Sequence, residues 1–539
     1  MKTLSPRWLV ALAATTLPFA ALAHGDDLAA KNAKLGKVLF KTTCTPEAQK
    51  QFERALAMLH SFHFPETVKA FTAIPQTDPD CAIAYWGMAI SQRPNPLVGP
   101  WDAATLKRGY DLVQKGQSIG AKSERERDWL AAIKVFYQGY ETVDQDTRTR
   151  NYEQAMDALS KKYPDDVEAK VFHALALNEI FDHKSMEPLL KAIAILTPLD
   201  KKYPDHPGIT HYLIHSYDFA PIAQKGLPAA DKYARIAPAA PHAQHMPSHI
   251  YSMVGKWNES IASNISAVKV SEQYAADNKM DGVLAGVPHS YDFMQYAYLQ
   301  LGQDQKAKDL IEKANAVKKV IGPVSAGNTA RAAVPARYML ERQDWKGAAQ
   351  LPLLNTPFPP AEAITHFARA MGAARSGDPA GAQADIDKMS GLREGLLKAN
   401  QGYWAEQIEV QIIAARAWQA QARGNAEEAF KLMSAAADLE DSTAKHVAME
   451  NRLYPMRELF GDMLMAQGQS GAALLAYEQS MKAAPERLRG YYGAAKAAEA
   501  TGDKAKASGY YAKLAQLTRN GDGTRAELKE VKVRVASKA

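Results

Sequence analysis

A chain of 539 residues and 59.0 kDa is too long for one hydrophobic core, so it must divide into several domains or run as one extended repeat array. Apolar residues make up 47% and charged residues 23%, the balance of a folded chain rather than a disordered one. Its 65 basic and 59 acidic residues are interspersed and leave a net charge of +6, which gives no basic face for nucleic acid or a membrane surface.

Lys2 and Arg7 precede an apolar run from Trp8 to Phe19, and Ala21-Leu22-Ala23 supplies small residues of the kind a signal peptidase reads. The run is too short to span a bilayer comfortably, so residues 1–23 read as an export signal of bacterial type, with the periplasm as destination. Cleavage removes two positive charges and leaves +4. It also makes His24 the N-terminal residue, whose amine and ring could chelate copper. No later stretch reaches 18 unbroken apolar residues, so no membrane span is expected.

Only two cysteines are present, Cys44 and Cys81. That excludes a four-cysteine zinc site, an all-cysteine iron–sulfur cluster and a disulfide-dense scaffold. Cys44 precedes one helical pattern and Cys81 follows the next, so an antiparallel helix pair would bring them together. An oxidising compartment favours a bridge there; the alternative is two buried free thiols.

The clearest regularity lies near the C-terminus. Gly461, Leu464, Gly468, Ala473 and Tyr477 recur 34 residues later as Ala495, Ala498, Gly502, Ala507 and Tyr511. This is the tetratricopeptide period, a helix–turn–helix unit whose small residue lets two helices approach while an aromatic fills the gap to the next hairpin. Thr67, Phe71 and Pro79 fall at matching offsets near the start. Weaker copies appear around 152–159, 255–264, 302–311, 377–385 and 424–433. The expected fold is all-α, tetratricopeptide-like hairpins stacked as an α-solenoid. After the signal, residues 24–350 form an N-terminal array with a histidine-rich centre, and 351–519 form a C-terminal array after the proline-rich stretch 352–360. Residues 520–539 form a capping helix or tail.

Fourteen histidines occur, and five of them (His211, His215, His242, His245 and His249) fall within 39 residues, where uniform scatter would place about one. His211 and His215 share a helical face. Pro247 opens a helix that holds His249 in its first turn, with His245 just outside on the loop. His289 starts the next unit. The expected metal ligands are therefore His211, His215, His245, His249 and His289, with Asp218, His242 and Asp292 in support and His60 and His63 more distant. Neutral imidazoles suit copper, zinc or iron. A purely structural histidine network and metal-free acid–base catalysis are the competing readings.

Several segments resemble exported bacterial proteins with tetratricopeptide-like repeats: Leu59-His60-Ser61-Phe62, Asp78-Pro79-Asp80-Cys81-Ala82, Tyr203-Pro204-Asp205-His206-Pro207-Gly208 and, most specifically, His245-Met246-Pro247-Ser248-His249-Ile250. Pro288-His289 and Ile364-Thr365-His366-Phe367 add to the likeness, which departs at His446, followed here by Val447 rather than proline. The resemblance implies a helical-repeat fold and export, and it brings no reaction with it.

Two functions compete. One is a periplasmic scaffold holding a protein or peptide in a concave groove, with a histidine-rich metal site in its middle. The other is a metal-dependent hydrolase or oxidoreductase on the same scaffold. The chain has no His-Glu-x-x-His pair and no Gly-x-Ser-x-Gly elbow.

Overall fold

A computed structural model describes residues 34–536. The expected signal segment and His24 lie outside the described residues. Helices follow one another as antiparallel hairpins from Pro46–His60 and Phe64–Thr77 to Leu488–Ala500 and Lys504–Leu517, each pair packing on the next. The fold is an all-α, tetratricopeptide-like stack. The described strands, Val283–Leu284 and Val320–Ile321, have two residues each and pair in parallel. No described helix is long and apolar enough to cross a membrane.

The repeat packs as its residue types require. Tyr477 lies between Gly461 and Gly493, sixteen residues to either side, and a Cβ on either glycine would come within 2.7 Å and 2.3 Å of its ring. Phe71 stands in the same relation to Gly87, where a Cβ would meet the ring at 2.3 Å. A bare backbone at these positions lets adjacent hairpins close over the aromatic ring.

Cys44 and Cys81 form a disulfide with their Cα atoms 4.9 Å apart. It ties the lead-in of the first hairpin to its exit, as the spacing requires. Two large buried clusters make up most of the core. One runs from Phe40 to Tyr251 and the other from Ala332 to Val531. The second begins before the proline-rich stretch 352–360, because the helix Val324–Glu341 packs directly on Pro359–Arg375 across it. The C-terminal segment ends in a helix, Ala526–Ala536, that buries Leu528 and Val531.

One irregular segment positions the candidate site. Residues 442–455 connect the helices Ala426–Asp441 and Met456–Ala466 and fold back onto the N-terminal array. Ala444 donates to the carbonyl of His183 at 2.7 Å, and Asn451 Nδ2 donates to Asp292 Oδ2 at 2.8 Å.

Candidate metal centre

Three helical segments bring the histidines together. Pro207–Tyr217 carries His211 and His215 one turn apart, and Gly286–Gln300 carries His289. Between them lie two short helices, Pro241–His245 and Pro247–Met253. Met246 joins these with helical backbone angles (φ −52°, ψ −37°), so the path stays helical through Pro247. His245 therefore sits on a helix and not on the expected loop, because Pro241 starts a turn of its own. The continuous path places His242, His245 and His249 on one face, at spacings of three and four residues.

The result is two trios, His211/His215/His242 and His245/His249/His289, each with one ring nitrogen per residue lying within 4.8 Å of the others. The trios adjoin: His215 and His249 ring centres are 6.0 Å apart, and His242 and His245 are 6.1 Å apart. His242, expected only in support, belongs to the first trio, with its Nε2 3.1 Å from His211 Nε2. His245 Nε2 and His249 Nε2 are 3.0 Å apart. Two nitrogens ~2.0–2.1 Å from one tetrahedral ion would stand about 3.3 Å apart, so both pairs are close to ligand spacing.

The outward ring nitrogens are anchored. His211 Nδ1 donates to the His60 carbonyl at 2.6 Å, His245 Nδ1 to Asn264 Oδ1 at 2.7 Å, and His249 Nδ1 to Asp218 Oδ2 at 2.8 Å. At His211 and His245 the anchor fixes the tautomer that turns an Nε2 lone pair inward, which is how protein-bound metal histidines are held. His215 differs: both of its ring nitrogens are buried without any hydrogen-bond partner. An orphaned buried imidazole is costly unless something outside the protein satisfies it.

Each trio also has an aromatic wall. Phe62 packs on His211 and His242 with ring centres at 4.5 Å and 5.3 Å, and Phe293 packs on His245, His249 and His289 at 4.8–5.1 Å. Burial, reinforced by neighbouring histidines, pushes His211, His215, His242 and His245 well below the ordinary imidazole range, and His289 falls to about 3. These rings are neutral, the form that binds metal.

His249 is the exception. Burial opposes its charge, but Glu450 and then Asp218 outweigh that and raise it to about 10. Burial and the charge of Asp218 push Glu450 up to about 8, against the pull of His249. Glu450 closes on the same His249 Nδ1 as Asp218 does. It comes from the irregular segment 442–455, where neither helical periodicity nor a histidine marks it, and the sequence reading missed it. Asp292 does not reach the histidines. Its carboxylate is taken by Arg337 Nη1 at 2.5 Å and by Asn451, because the turn that carries it faces the returning segment.

His60 belongs to a different arrangement with Glu168 and His206. His60 Nε2 and His206 Nε2 donate to the two oxygens of Glu168 at 2.9 Å and 3.0 Å, Tyr212 donates to His60 Nδ1 at 3.0 Å, and the Ile209 amide donates to His206 Nδ1 at 3.3 Å. Every ring nitrogen is used, so this trio has no lone pair left for an ion. His63, with neither ring nitrogen partnered, belongs to neither trio but lines the same cavity as they do.

The expected groove site is instead buried, with a mouth. A cavity of about 420 Å³ is lined by His215, His242, His245, His249 and His289 on one side and by Phe62, Phe64, Val68, Leu284 and Ile321 on others.

The sequence matches no protein-family model and no curated protein. Solved structures that it resembles include Naa15/Naa10 bound to HypK-THB, at 12% identity over 91% of each chain and a TM-score of 0.24. The APC/C hetero-tetramer Cut9-Hcn1 aligns at 10% identity over 91% of this chain and 90% of that one, with a TM-score of 0.31. A human IFIT1 dimer with m7Gppp-AAAA aligns at 11% over 92% and 95%, with a TM-score of 0.35. Likeness at this level carries nothing about ligands or chemistry.

Proposed function

We propose that this chain is an exported repeat scaffold whose middle hairpins hold a transition-metal centre built from two histidine trios, one ion to each. The observation that carries the reading is His215, buried and unpartnered beside five further imidazoles, of which His211 and His245 have the outward nitrogen anchored so that the inward one is a lone pair, while His249 releases a proton when its ion binds. The contrast with His60, Glu168 and His206, where hydrogen bonds close every valence, supports ligand histidines over a structural network. The donors are all nitrogen, which suits copper, zinc or iron, and an oxygen-seeking ion such as calcium is disfavoured. The disulfide supports an oxidising compartment, the periplasm in this reading. The rest of the stack offers helical-hairpin surface to a protein or peptide partner.

The test is elemental analysis of the full chain purified without a histidine tag, beside His211→Ala and His289→Ala. The expected result is two ions per parent chain and one in each variant. A folded parent that stays metal-free after incubation with copper(II), zinc(II) and iron(II) overturns the reading. One ion in the parent, lost from both variants, replaces it with a single shared site.

A further inference from the structure

The cavity beside the trios has a composition that says what it takes. Its wall mixes six histidines, His63 and five of the trios, with apolar residues such as Phe62, Phe64, Val68, Leu284 and Ile321, and no lysine, arginine, aspartate or glutamate lines it. A cavity of about 420 Å³ is within the usual range for small-molecule sites, which lies at roughly 300–1,000 Å³. Besides histidine its polar side chains are Ser91, Gln92, Asn95, Ser271, Ser290 and Ser325, none of which carries the charge that a nucleotide's phosphates would need. The histidine side touches both trios, His215 and His242 of the first and all three residues of the second. A molecule seated here lies against side chains of both trios, the residues that would hold an ion.

We infer that the cavity binds a neutral, largely aromatic or aliphatic small molecule that turns a single oxygen donor, such as a hydroxyl, toward the histidine wall. The inference rests on the metal centre proposed above for the role of that oxygen, and on the apolar wall alone for the body of the ligand. Phe62 links the two: it packs on His211 and His242 and also lines the cavity. Its backbone is left-handed (φ 49°), a conformation a bulky side chain adopts only where its surroundings impose it.

The experiment uses the full chain, metal-loaded and metal-free, titrated calorimetrically with 1-naphthol and with 1-methylnaphthalene, which has the same shape and no hydroxyl. Val68→Trp fills the cavity at a half-buried position that touches no histidine of the trios, and its metal content is measured alongside. The expected result is 1-naphthol binding at least tenfold tighter to loaded than to metal-free protein, 1-methylnaphthalene indifferent to metal, and both lost in a Val68→Trp chain that keeps its ions. Loaded protein that binds neither probe overturns the inference and leaves the metal centre standing. Equal binding by the parent and Val68→Trp overturns it too. A chain that takes up no metal yet binds both probes equally overturns the metal centre and the donor role while the apolar site survives.

Discussion

Arg487 and His215 are buried to a similar depth, and the protein treats them in opposite ways. Arg487 donates to Glu458 Oε1 at 2.8 Å, Glu458 Oε2 at 2.9 Å, Glu341 Oε1 at 2.6 Å and the Tyr296 hydroxyl at 2.8 Å. His215 donates to and accepts from nothing. Elsewhere the stack closes its polar interior with arginine–carboxylate pairs, among them Arg525 on Asp304 and Arg337 on Asp292. The histidine-rich middle is left open toward a cavity. A closed network is structural; an open one costs stability and points to a ligand.

The sharpest way to break this comparison is to remove the closed network. Arg487→Met leaves Glu341 and Glu458 buried without their cation, and stability should fall by about 3–5 kcal/mol. The readout is urea unfolding, with metal content unchanged in whatever fraction folds. A loss below 1 kcal/mol would mean that the network is idle.

Next in size is the disulfide, which belongs to the closed class in covalent form. It encloses 36 residues, and replacing both cysteines by serine should cost about 3–4 kcal/mol on the chain-entropy account. Because a repeat stack loosens locally, amide exchange should accelerate chiefly in Pro46–Thr77 and leave the C-terminal hairpins protected. Uniform acceleration along the chain would contradict a locally acting bridge.

His215 should answer in the other direction. Leucine has a similar volume and no polar atoms to satisfy, so His215→Leu in metal-free protein should raise stability by about 1–3 kcal/mol while the first trio loses its ion. A fall in both would place His215 among the structural residues.

How much of this was legible in the sequence follows the same division. The repeat could be read because a hairpin stack imposes periodic small and aromatic residues, as Gly461 and Tyr477 do. The disulfide could be read because hairpin ends must meet. The histidine cluster announced itself by density, but the role of His242 depends on Met246 keeping its helical angles through a Pro-led join, which no spacing reveals. Glu450 was illegible. It reaches His249 only because residues 442–455 fold back over the N-terminal array, a long-range contact without periodicity. Asp292 misled for the same reason, since its partner Arg337 sits on another helix.

The smallest effect separates buried histidines that are structural from those left open. His446 lies against His183 with ring centres 5.4 Å apart, away from both trios, and its Nδ1 accepts from the Ala448 amide at 3.0 Å. Burial, then the neighbouring His183, lower it to about 3. Its folded value is below the unfolded one, near 6.5, so it contributes full stability above pH 6.5 and loses it progressively as pH falls toward 3, because only the unfolded chain takes up the proton. At pH 5.5 the loss should be about 1.4 kcal/mol. His446→Gln keeps an acceptor and cannot titrate, so the stability gap between parent and variant should shift in favour of the variant by that amount between pH 7.5 and 5.5. A gap that stays constant across this range would show that His446 is protonated in the folded chain or exposed to water, and the division of the histidines into closed and open sets would lose one of its members.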